Sequence, residues 1–174
     1  LVDREAELDV DEEDMLDVTN HWVDEFTESD LFKALEESLK EDVAMAARSF
    51  VEHIYNHEFV IPDDWTPSNV KSVCLEIIPS SVTAEIEFFE TFGIALIEFL
   101  KFLGEKEYIQ NSVELIVTIE QIKKQIPIEA NNPDNWGNAK RMMMAVKKSG
   151  IDLTDREAID GFLNTMLPNS QLSS

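Results

Sequence analysis

Thr83-Ala84-Glu85-Ile86-Glu87-Phe88-Phe89-Glu90-Thr91-Phe92-Gly93-Ile94-Ala95-Leu96-Ile97-Glu98-Phe99-Leu100-Lys101-Phe102-Leu103-Gly104 is the stretch around which the rest of the chain is arranged. Phe88, Phe89, Phe92, Ala95, Leu96, Phe99, Leu100 and Leu103 recur at spacings of three and four, the period of one helix face. Ile86, Ile97 and Phe102 widen that face, and Glu87, Glu90, Glu98 and Lys101 leave a narrow polar strip opposite. A helix apolar over more than half its circumference is covered by several neighbours. Glu90 and Glu98 interrupt the run, so it is a core helix rather than a membrane span. Thr83 is a candidate N-cap, with Glu85 and Glu87 at the positive end of the helix dipole. Gly104 is a candidate left-handed residue just past the helix end.

Upstream, residues 1–28 read as a partly ordered acidic leader, with Trp22, Val23 and Phe26 on one side of its last turns. Ser29 caps a helix bearing Leu31, Phe32, Leu35 and Leu39, and Asp42 to His57 form another with Val43, Ala46, Ala47, Phe50, Val51 and Ile54 inward. Thr66-Pro67 is a cap followed by a proline at the first helical position; the short helix after it buries Val70, Val73, Cys74 and Ile77 and stops at Pro79.

Downstream, Asn111 and Glu114 have capping-box spacing before Leu115, Ile116, Ile119, Ile122 and Ile126, and Pro127 breaks or kinks that helix. Asn131 to Asn135 form a turn. Trp136, Ala139, Met142, Met143 and Val146 make the inner face of the next helix, closed by Gly150. Thr154-Asp155-Arg156-Glu157 is a capping box for a last helix with Ile159, Phe162, Leu163 and Met166. No segment alternates as a strand does. The expected fold is all-α, an irregular bundle of about seven or eight helices around 83–104, with one domain at 29–167 and a flexible tail at 168–174.

Three stretches carry a resemblance. They are Asp64-Trp65-Thr66-Pro67, Ser81 to Phe89, and Asn132-Pro133-Asp134-Asn135-Trp136-Gly137-Asn138-Ala139-Lys140 with Gly150-Ile151-Asp152-Leu153-Thr154-Asp155. Together they resemble an uncharacterised bacterial all-helical domain, over roughly residues 40–167. In some proteins that domain precedes a short zinc-binding SEC-C motif, the type found at the C terminus of SecA. The resemblance implies a helical fold and no activity. The chain has only Cys74 and no Cys-x-Cys cluster, so either the natural protein continues past Ser174 or this member lacks the zinc module.

The net charge is −22. Residues 1–64 hold 21 acidic and 4 basic side chains, and the remainder 15 and 10, so the acidity belongs to the first third. Such a chain repels nucleic-acid phosphates and anionic lipid. With a single cysteine and no export signal in its first residues, it points to a cytoplasmic setting.

His53 and His57 stand at i and i+4, a spacing that can hold one metal ion, but Ile54 replaces the glutamate of a zincin motif and no other ligand is fixed nearby. Cys74 lies on an apolar face, the setting of an inert thiol. No phosphate loop or nucleophile elbow is present. Lys140, Arg141, Met144, Lys147 and Lys148 share the side of the 137–149 helix opposite Trp136 and Met143. The leading expectation is therefore a non-enzymatic protein-interaction module without a cofactor. It would bind an unidentified protein or self-associate through that basic face, away from membranes. The alternatives are a metal-assisted hydrolase or transferase using His53 and His57, or a nucleic-acid-associated protein using the basic helix.

Overall fold

A computed structural model describes residues 3–152 and 154–166, with side chains placed from 15 to 152 and from 154 to 165. The fold is all-α, and no strand occurs among the described residues. The expected tail at 168–174 lies outside them.

The central helix α6 spans Ile86–Glu105. All eight residues of its expected inner face are buried, from Phe88 to Leu103. Ile97 and Phe102 join them, whereas Ile86 is exposed. Each fully buried Phe or Leu contributes roughly 1.5–3 kcal/mol, so this helix is the largest single source of core stabilisation. Gly93 lets α6 approach Lys123 closely, since a Cβ there would collide with that residue's Cα and Cβ.

Both ends of α6 differ from expectation. Residues 82–85 are not helical, Val82 and Glu85 being extended, and the N-cap is Glu85 without a side-chain cap bond. Its carboxylate reaches Lys147 instead. At the other end the left-handed residue is Glu107, with φ 60°. Tyr108 N–H donates to the Leu103 carbonyl and Glu107 N–H to that of Gly104, a Schellman closure. Gly104 stays helical, and Ser112 packs where its Cβ would be.

Helix α1 (Asp3–Thr27) enters the core through Thr19, Val23 and Phe26. Phe26 packs against Phe32, Phe99 and Phe102, so the end of α1 is part of the core. Ser29 caps the short α2 (Asp30–Lys33), accepting from Phe32 N–H. Helix α3 starts at Glu37 rather than Asp42 and runs to His53, continuing as a π turn over Ile54–Glu58. It lies along α6 and buries Val43, Ala46, Ala47, Phe50 and Val51.

Thr66 and Asn69 form a capping box for α4 (Pro67–Ser72). Pro79 does not end this rod. A π turn over Val73–Ile77 widens the backbone and carries it into α5 (Ile78–Ser81). A proline lacks one donor and crowds the carbonyl four residues back, and a wider turn accommodates both defects. The shift buries Ile78 in place of Ile77.

Helix α7 (Ser112–Ile122) receives no side-chain cap from Asn111, whose amide donates to the Trp65 carbonyl at 2.7 Å. The break expected at Pro127 falls just ahead of it, and α8 follows over Gln125–Ala130. Helix α9 (Asn138–Lys148) ends in a Schellman closure at Gly150, φ 86°. Helix α10 (Arg156–Met166) is capped by Asp155 rather than Thr154, whose N–H and hydroxyl both bond to Asp152.

Candidate functional site

Helix α9 stands apart from the main hydrophobic cluster. Val146 and Ile159 are buried at the edge formed by α9 and α10, but neither belongs to that cluster. What holds the start of α9 down is polar. Gly137 N–H donates to the Ser80 carbonyl at 3.0 Å. A Cβ at Gly137 would stand 3.3 Å from that oxygen, tighter than an ordinary contact.

Lys140 is the second tie, and it overturns part of the expected binding face. It is only 2% exposed. Its ammonium donates to the carbonyls of Pro79 at 2.7 Å and Ala130 at 3.2 Å, in the last turns of α5 and α8. It also lies 4.7 Å from the Phe89 ring centre and 5.5 Å from that of Trp136. Cations suit both carbonyl-rich helix ends and aromatic faces. Burial lowers its pKa to about 8. No described acidic side chain bonds to it, so Lys140 is a pin between three helices rather than a binding residue. Trp136 donates its indole N–H to the same Ala130 carbonyl at 2.7 Å, anchoring the turn. Ala139, expected to face inward, is exposed, because the helix is rotated to bring Lys140 into the core.

The other four residues of the face do converge. Arg141, Met144, Lys147 and Lys148 line a groove of about 550 Å³ with Pro133, Trp136 and Ala145. Its walls are mainly apolar, and the three cations stand around them. Arg141 Nε donates to the Trp136 carbonyl at 3.1 Å. Lys147 pairs with Glu85 at 2.8 Å. Among the described residues neither Arg141 nor Lys148 meets a carboxylate. Lys147 and Lys148 suit the negative end of the helix dipole, but Arg141 sits in the first turns, where the dipole opposes a cation. Met144 and Lys147 also line a smaller cleft of about 120 Å³ on the Lys140 side, walled by Ala84, Ile86 and Phe89.

His53 and His57 are brought together. Their rings stack with centroids 5.6 Å apart and planes at 5°. His53 Nδ1 lies 2.7 Å from the Ser49 carbonyl, which fixes that ring. Among the described residues no His, Cys, Asp or Glu completes a metal-holding group of three. Cys74 is fully buried, and burial pushes its thiol pKa far up, which suppresses the thiolate.

Compared with known proteins, the chain matches no family model, no curated protein and no solved structure. No helix among the described residues is long and apolar enough to cross a membrane.

Proposed function

We propose that this chain is a non-enzymatic interaction module whose α9 groove receives an acidic, partly apolar polypeptide segment. The observation that carries this is the groove itself. In a chain of net charge −22, Arg141, Lys147 and Lys148 gather around an apolar wall of Trp136, Met144 and Ala145. Two of these cations lack a carboxylate among the described residues, and the dipole gives Arg141 no reason to stand where it does. A helix presenting Leu or Met between carboxylates fits both features, in the manner of an amphipathic helix in a groove. Three cations set on an apolar wall suit carboxylates interleaved with apolar side chains better than a phosphate backbone, which needs an extended row of Lys and Arg. A cytoplasmic setting belongs to the same proposal, supported by one buried free cysteine.

Fluorescence anisotropy with three probes tests it: a designed helical peptide of Leu and Glu, its Leu and Lys counterpart, and single-stranded DNA. The acidic peptide should bind, and Arg141→Glu/Lys148→Glu should weaken it by at least about tenfold. Binding to DNA in preference, or equal binding by the variant, overturns the reading. Lys140 stays unaltered because it fastens α9, and Lys147 because it is already paired with Glu85.

A further inference from the structure

We infer that the groove's occupant is the N-terminal half of α1 from a second copy of this chain, so that two copies exchange these segments. The inference rests on the reading of the groove given above. The stripe that α1 buries through Thr19, Val23 and Phe26 continues in register through Leu16, Glu12 and Leu8. Beyond residue 14, toward the start, the sequence Asp3-Arg4-Glu5-Ala6-Glu7-Leu8-Asp9-Val10-Asp11-Glu12-Glu13-Asp14 has eight carboxylates against one cation. Glu5, Asp9 and Glu12 recur at spacings of four and three beside Leu8. An apolar residue flanked by acids is the chemistry the groove selects.

Length agrees as well. At about 1.5 Å per residue the helix over 3–14 extends roughly 17 Å, close to the roughly 15 Å length of α9. The segment comes from a second copy rather than its own chain because α1 is one helix over Asp3–Thr27, anchored at its far end by Val23 and Phe26. It contains no proline or glycine at which to turn back. Among the described residues no hydrogen bond or ion pair joins α1 to α9. Two chains of net charge −22 repel each other, so the pairing depends on the local cations rather than on overall attraction.

A charge exchange tests this on the full chain. One variant carries Arg141→Glu/Lys148→Glu, the other Glu5→Lys/Asp9→Lys/Glu12→Lys, and mass is read by sedimentation at moderate salt, with circular dichroism confirming the fold. The unaltered chain should be a dimer, each variant alone a monomer, and an equal mixture of the two a mixed dimer, because both of its contacts regain opposite charge. A dimer that survives in each variant alone overturns the inference. So does a chain that is monomeric at every concentration. In that case, binding of the Leu and Glu peptide leaves the groove reading standing, whereas absence of peptide binding removes both.

Discussion

Lys140 shows how one residue can do the opposite of what its type suggests. A lysine on a helix reads as solvated, and a basic neighbour at Arg141 strengthens that reading. Here the aliphatic stem crosses the core edge and the ammonium closes two helix ends under two aromatic rings. The only sequence trace of this is Trp136, four residues earlier and just ahead of α9, followed by a glycine that permits close approach. The desolvation of this group has a signed consequence. Its folded pKa, about 8, lies below the ordinary lysine value of 10.5. Between those values the unfolded chain binds more protons than the folded one, so this group's contribution makes stability rise with pH across that window. Relative to Lys140→Met, which keeps the packing but not the charge, the native chain should gain about 1–3 kcal/mol between pH 7.5 and pH 10. Urea unfolding of both proteins at the two pH values measures it. A constant difference would mean that the folded protein holds the ammonium as readily as water does.

At the scale of the element, most of the fold was legible because helical period and caps are local signals. The face of α6, the Ser29 and Thr66 caps and the Gly150 stop all follow from a few adjacent residues. Boundaries failed where a distant group took a residue away from its local role. Glu85 gives its carboxylate to Lys147, and Asn111 gives its amide to Trp65, so neither caps its own helix. The π turns before Phe59 and Pro79 escaped for a related reason: nothing in local propensity announces one extra residue per turn. Gly104 is the sharpest case. A glycine near a helix end suggests left-handed backbone, but this one is needed for the approach of Ser112, and Glu107 takes the strained conformation. The two sites should therefore respond oppositely to exchange. Glu107→Gly should stabilise the protein by about 1 kcal/mol, since glycine enters that region without a Cβ penalty. Gly104→Ala, ordinarily favourable inside a helix, should cost about 1–3 kcal/mol through crowding against Ser112. Denaturant midpoints of the two variants settle the assignment, and stabilisation by Gly104→Ala would sink it.

For the molecule as a whole, the division that matters is between a core held by apolar packing and an edge held by polar ties. Phe26, Phe50, Phe92 and Phe99 share one cluster with Trp65 and the α7 isoleucines, whereas α9 reaches that cluster through Gly137, Lys140, Trp136 and the Lys147–Glu85 pair. An exposed pair such as Lys147–Glu85 contributes only about 0–1 kcal/mol, so most of the attachment falls to Lys140 and the corner around it. Truncation of that one side chain should then release the edge without unfolding the centre. In Lys140→Ala the Pro79 carbonyl loses its ammonium donor, a space opens beside Phe89, and α9 should open locally before the whole chain does. Amide hydrogen exchange should accelerate by about tenfold or more over 138–148 while the amides of 88–103 keep their protection, because local opening uses only the free energy of the edge. The groove would go with it: Lys140 does not line it, yet peptide binding should weaken because every lining residue lies on α9 or the turn before it. If exchange instead rose equally in α6 and α9, the edge and the core would form one cooperative unit, and the ammonium would be a support of the whole fold rather than the fastening of one helix.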